Sequence, residues 1–171
     1  MTLRVLHIYS GNLYGGIETL LSTLARHREV CPEMEPHFAL VFEGQLSAEL
    51  AEAQVPVTIL GATRVSRPIS LWRARRALQR LLAREQFDVA ICHSPWPHAL
   101  FGPVVRRLGV PLVFYMHNSA SGTDLLEWLA SRVRPDLVLV NSRFTATTLP
   151  RIHPGVPSRV FLLTSHRTEH R

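Results

Sequence analysis

The sequence predicts an α/β fold: a Rossmann-like three-layer α/β/α sandwich around a mostly parallel sheet of six to seven strands. Three observations predict it. Apolar runs alternate with helical patterns from one end of the chain to the other. The runs are continuous, as in Val89-Ala90-Ile91 and Leu137-Val138-Leu139-Val140, and strands buried on both faces read this way. The length, 171 residues, suits one α/β domain and falls short of two substantial ones.

The elements follow in order. Residues 3–9 are the first strand. Residues 17–28 form a helix, with Ile17, Leu20, Leu21, Leu24 and Ala25 at the 3.6 period. Residues 36–42 are the second strand. Residues 47–53 form a short helix with Ser47 as its N-cap. Residues 55–60 are the third strand, closed by Gly61. Residues 70–84 are a helix, residues 87–92 the fourth strand, and residues 95–108 a helix with Pro95 in its first turn and Gly109 beyond its end. Residues 110–116 are the fifth strand, 122–132 a helix, 135–140 the sixth strand and 142–149 a helix with Ser142 as N-cap. A last strand is expected over 159–163. The domain is therefore expected over residues 1–163, with a polar tail, TSHRTEHR, over 164–171.

Composition excludes several classes. No run approaches the ~20 apolar residues that a membrane-spanning helix needs. The first four residues lead straight into the first strand, which leaves no room for a signal peptide. Cys31 and Cys92 share no close spacing, so reduced thiols and a cytoplasmic protein are expected, with no metal site. All 19 basic residues are arginine. Seven of them (64, 67, 73, 75, 76, 80 and 84) stand between Arg64 and Glu85 with one acid, so this segment carries the whole net charge of +6. On the helix of residues 70–84, Arg73, Arg76, Arg80 and Arg84 form a stripe away from Leu71, Ala74, Leu78, Leu81 and Leu82. The stripe is either plain solvated surface or a peripheral contact with anionic membrane through Arg64 to Arg84, aided by Trp72. No aromatic-basic interleaving supports nucleic-acid binding.

In open parallel sheets, ligands bind at the carboxyl ends of the strands. After the first strand comes Ser10-Gly11-Asn12-Leu13-Tyr14-Gly15-Gly16-Ile17-Glu18. Glycines here let backbone N–H groups approach a ligand at the positive end of the next helix, or simply make a tight turn. The spacing matches neither GxGxxG nor GxxxxGK[ST], so dinucleotide and P-loop readings are excluded. Neither a Ser-His-Asp arrangement nor paired carboxylates stand at strand ends, which argues against a hydrolase.

Four strand-end segments carry a resemblance. They are the loop ending Gly15-Gly16-Ile17-Glu18, the run Phe87-Asp88-Val89-Ala90-Ile91-Cys92-His93-Ser94, the run Pro111-Leu112-Val113-Phe114-Tyr115-Met116-His117-Asn118, and Asp136-Leu137-Val138-Leu139-Val140-Asn141-Ser142. In this order they resemble the N-terminal domain of glycosyltransferase family 4, over residues 3–163. That family has the GT-B fold, two Rossmann-like domains facing across a cleft.

The resemblance implies roles. Gly15 and Gly16 lie against the diphosphate and sugar of a nucleotide-sugar donor, a substrate and not a cofactor. His117 sits beside the transferring sugar as a hydrogen-bonding or polarising group. His93 and His98 either line the acceptor pocket or pack the loops; Asn118 and Ser119 follow His117 toward the cleft. Glu18 either reaches the cleft or suits the positive end of its helix. The implied activity is retaining transfer to a sugar or lipid-linked acceptor, in which the protein positions the reactants and stabilises the leaving diphosphate. The Glu-x7-Glu motif and basic pair of the family's C-terminal domain have no counterpart here. A truncated chain, inactive or weakly active without a donor-binding domain in cis or trans, is therefore expected. The alternative is a non-catalytic Rossmann-like binding or interaction domain. The expected location is the cytoplasm, with peripheral contact at the inner membrane face.

Overall fold

A computed structural model describes residues 2–12, 14–64 and 66–161. Seven strands form one sheet: β1 (Leu3–Tyr9), β2 (Met34–Leu40), β3 (Val57–Ile59), β4 (Val89–His93), β5 (Leu112–Met116), β6 (Leu137–Val140) and β7 (Ser158–Val160). Their order is β3-β2-β1-β4-β5-β6-β7, and every neighbouring pair is parallel. Among the described residues six α-helices join them: α1 (Gly16–Arg26), α2 (Gln45–Glu52), α3 (Pro68–Arg84), α4 (Pro95–Arg107), α5 (Leu125–Ser131) and α6 (Arg143–Thr148). This is the three-layer Rossmann-like arrangement that the continuous apolar runs predict.

Alternate residues of each strand feed two faces. On one face Leu6, Ile8, Ala39, Val41, Ala90, Cys92 and Leu112 pack against Ala74 and Leu78 of α3 and Leu100 and Phe101 of α4. Phe114, Met116, Val138 and Val140 continue that face. On the other, Tyr9, Phe38 and Leu40 pack against Leu21 and Ala25 of α1 and Leu46 and Leu50 of α2. The same face of β4 to β6 offers Ile91, Val113, Leu137 and Leu139, which belong to none of these clusters.

Several boundaries move for identifiable reasons. Ser47 is not the N-cap of α2. Gly44 is, and the Ser47 hydroxyl reaches back, accepting from Gly44 N at 3.0 Å and donating to Gly44 O at 2.8 Å. Helix α3 starts two residues early because Pro68 suits a first turn, where its missing N–H costs nothing. Helix α5 starts late: Asp124 caps it by accepting from Leu126 N and Glu127 N, and Gly122 has φ +78°. Ser142 is the N-cap of α6, accepting from Thr145 N. Strand β4 runs through His93, which moves that side chain from the loop into the sheet. Strand β7 is Ser158–Val160; residues 162 and 163 of the predicted last strand, and the tail 164–171, lie outside the described residues.

Candidate active site

Strand order reverses direction between β1 and β4: one crossover leads left to β2 and β3, the other right to β5, β6 and β7. The loops leaving β1 and β4 therefore part, and the crevice between them is the place where such sheets bind ligands.

The β1 loop is held from both sides. Gly11 has φ +84°, and a Cβ there would stand 2.9 Å from Phe42 O, so the turn itself requires glycine. Gly15 and Gly16 are different. Gly15 has extended backbone (φ −161°) and Gly16 opens α1. A Cβ on Gly15 would meet only Glu18 Oε2 at 3.6 Å, and one on Gly16 nothing within 4 Å. Neither packing nor dihedral angle demands glycine at these two places. They leave open space beside the first N–H groups of an 11-residue helix, groups that have no partner within the helix.

Glu18 organises this loop from beneath. It is 2% exposed. Its Oε1 accepts from the Tyr9 hydroxyl at 2.7 Å and its Oε2 from Gly15 N at 2.9 Å. Burial and this carboxylate push the Tyr9 phenol well above its usual range. Tyr14 is tied down separately, its hydroxyl bonding the Glu49 carboxylate at 2.8 Å; Ser22 donates to the same carboxylate.

Across the crevice stands a chain of histidines. His93 Nδ1 lies 3.1 Å from His117 Nε2, and His93 Nε2 lies 3.0 Å from His7 Nδ1. The register explains the contact. His7 is level with Ile91 and His93 with Tyr115, so the three imidazoles run diagonally across β1, β4 and the end of β5 on one face. His7 stacks on Phe38 with centroids 5.1 Å apart, and His117 on Tyr115 at 4.0 Å. Burial lowers the His7 and His117 imidazoles to about 4, and burial together with its two histidine neighbours holds His93 well below the ordinary histidine value, so all three are neutral near pH 7. Asn141, at the end of β6, donates from Nδ2 to His117 O at 2.5 Å and accepts from Thr145 Oγ1 at 2.7 Å.

The fold brings Gly15, Gly16, Glu18, His93, His117 and Asn118 to one edge of the sheet. Asn118 and Ser119 are exposed there and line a cavity of about 260 Å³ with Ser94, Trp96, Asp124 and Leu126. A second cavity of about 460 Å³, lined by Ser10, Asn12, Phe42, Arg64, Trp96 and Leu126, shares two of those walls. A larger hollow of about 630 Å³ sits away from the crevice, between the end of β3 and the start of α3. His98 is not at the edge. It is fully buried in α4, bonded through Nε2 to Val133 O at 2.7 Å and packed on Phe114. The sequence assigns no site role to His7 or Asn141. The one available signal for His7 is a polar residue inside the apolar run of β1. Among the described residues, no group of three His, Cys, Asp or Glu side chains is placed to hold a metal. No helix among them is long and apolar enough to cross a membrane.

A parallel sheet in this order, with a glycine loop and polar side chains at the crevice, defines a Rossmann-like α/β domain. The profile of Glycosyltransferase Family 4 matches residues 14–163, and the chain belongs to that family. No curated protein matches at the level of sequence. The lipopolysaccharide outer core galactosyltransferase WaaB in its apo form superposes with TM-score 0.75 at 15% identity, covering 97% of this chain and 47% of WaaB. Anabaena HepE, in complex with UDP and glucose, gives 0.71 at 16% identity, covering 95% and 45%. Acinetobacter baumannii MurG gives 0.68 at 15% identity, covering 98% and 47%. The chain therefore spans about half the length of these solved structures. At such identities the likeness establishes the fold.

Proposed function

We propose that this chain is the N-terminal, acceptor-side half of a retaining glycosyltransferase, which moves a sugar from a nucleotide-sugar donor to a sugar or lipid-linked acceptor. The observation that carries this reading is the empty space at Gly15 and Gly16. Neither packing nor dihedral angle demands glycine there, and the room it leaves beside the N-terminus of α1 suits a ligand that comes close to the backbone. The ligand at a helix N-terminus is anionic, and the donor's diphosphate has that charge. Helix α4 competes poorly for it, since Pro95 and Pro97 remove two N–H groups from its first turn. In this reading Glu18 holds Gly15 in place from below, His117 meets the transferring sugar, and His93 and Asn118 border the acceptor. No cofactor takes part: the bond from the sugar to the diphosphate breaks, the acceptor oxygen bonds the sugar, and the acceptor's proton goes to the departing nucleoside diphosphate.

The remaining wall of the site belongs to a donor-binding domain, joined in cis or supplied in trans. Peripheral contact with anionic lipid at the cytoplasmic membrane face is part of the same proposal. Arg73, Arg76, Arg80 and Arg84 are exposed on α3, and Trp72, 61% exposed, carries the Arg76 guanidinium 5.8 Å above its ring. Arg75 does not share this role, because its Nε donates to Leu100 O at 2.7 Å.

The test joins the chain to its adjoining coding segment, or co-expresses it with candidate partners, and measures transfer from a panel of nucleotide sugars. Transfer that is lost in Gly15→Val supports the reading. If no combination transfers sugar, the domain is a binding or interaction module. Flotation with anionic and neutral liposomes tests the lipid contact; equal failure with both at low salt removes it.

A further inference from the structure

A neutral imidazole has one N–H and one bare nitrogen. His93 is hydrogen-bonded at both nitrogens, so it donates from one and accepts at the other. Only two proton arrangements satisfy both bonds. In the first, His7 Nδ1–H donates to His93 Nε2, His93 Nδ1–H donates to His117 Nε2, and His117 carries its own proton on Nδ1. In the second every bond reverses: His117 donates from Nε2, His93 donates from Nε2, and His7 carries its proton on Nε2.

The far end of the chain decides between them. His7 Nε2 is buried and has no hydrogen-bond partner among the described residues. The second arrangement places an N–H at that atom with nothing to accept it. The first places only a lone pair there. A buried N–H without an acceptor is the rarer and costlier fault. At the other end, His117 Nδ1 has no partner among the described residues, and the ring is only partly buried.

The geometry points to His93 as a positioning residue that, directed by the closed end of the chain at His7, fixes the tautomer of His117 so that it presents Nδ1–H as a neutral donor at the strand-end crevice. The group it meets is an oxygen acceptor: a hydroxyl or a phosphate oxygen. That this oxygen belongs to a nucleotide sugar rests on the function proposed above; the tautomer assignment does not. The ring is held for this purpose, stacked on Tyr115 and with its backbone carbonyl bonded to Asn141. The same closed end stops His117 from passing a proton inward, because among the described residues His7 Nε2 has no group to hand one to. The chain orients a donor and does not conduct.

The tautomers are readable in the full chain labelled with 15N-histidine at pH 7.5, using two-bond 1H–15N correlations. The expected result is a protonated Nδ1 and a bare Nε2 at His7, His93 and His117. A protonated Nε2 at His117, or an imidazolium there, overturns the proposal. His93→Phe, which removes the donor to Nε2, is expected to turn the single His117 tautomer into a mixture of both, and an unchanged tautomer in a folded variant overturns the role of His93. His93→Asn, whose amide N–H stands where Nδ1–H was, is expected to restore the single tautomer. If His93→Phe does not fold, the wild-type nitrogen shifts and His93→Asn decide. Tautomers as expected, in a protein that transfers no sugar with any donor-binding partner, would end the functional reading and leave this assignment intact.

Discussion

The two sides of the sheet are built differently. Around β1 and β2 both faces are covered: α3 and α4 lie below and α1 and α2 above, and Phe38 and Leu40 are fully buried. From β4 to β6 one face is equally dense, with Phe114, Met116, Val138 and Val140. The opposite face there carries Ile91, Leu137 and Leu139, each only partly buried, and no core cluster includes them. The histidine chain crosses from one region into the other, beginning under Phe38 at His7 and ending at the edge with His117. Stability is thus concentrated on the first side, and groups free to meet a ligand stand where that packing stops.

Paired truncations test the contrast at its largest. Phe38→Ala removes a fully buried ring between sheet and helices and is expected to cost about 3–5 kcal/mol. Leu139→Ala, on the half-covered face, is expected to cost about 1–2 kcal/mol, since part of its surface already meets water. Urea denaturation measures both, and equal losses would mean the two regions are equally packed.

Acid is the next largest probe. Burial lowers the His7 and His98 imidazoles to about 4 and holds His93 well below its ordinary value, whereas the unfolded chain titrates at the ordinary histidine value of about 6.5. Below that value the unfolded state takes up protons that the folded state refuses. Stability is therefore intact above pH 6.5 and falls as pH drops toward 4, by up to roughly 1.4 kcal/mol per pH unit for each such histidine. Thermal unfolding at pH 7.5, 6 and 5 checks the direction. A flat profile would show that the buried histidines titrate freely.

Tyr9→Phe strips the Glu18 carboxylate of one buried partner and is expected to cost about 1–3 kcal/mol, with the glycine loop loosened. Amide exchange at Gly15 reads that loosening, because its N–H bonds the same carboxylate. The smallest effect on stability is expected for Gly15→Val, about 0.5–1 kcal/mol, because valine is a poorer N-cap for α1 but the backbone there is extended and the space open. Joined to a donor-binding domain, that variant is expected to lose sugar transfer. Full activity in it would detach the loop from the site.

Much of the fold was legible locally. Continuous apolar runs announced a doubly covered parallel sheet, and Ser142 and Pro95 marked helix starts that the structure keeps. Ser47 misled, because a serine three residues beyond a glycine can bond back to the cap without being it. Of the site, Gly15, Gly16, His93, His117 and Asn118 could be found because each follows or ends a strand, and chain position alone puts strand ends on one edge. His98 also follows a strand, but its helical turn aims it into the core.

The sequence by itself determined the alternation of strands and helices and the set of residues at the carboxyl edge, since both depend on neighbours a few positions away. Tertiary structure alone decided the partners. Glu18 bonds Tyr9 and Gly15 because α1 folds back over β1, and His7 joins His93 because β4, 86 residues later at His93, inserts beside β1. Strand order is a non-local choice, settled by how helices cover the two faces. The polarity of the histidine chain follows from that order, through one buried nitrogen, His7 Nε2, without a partner among the described residues.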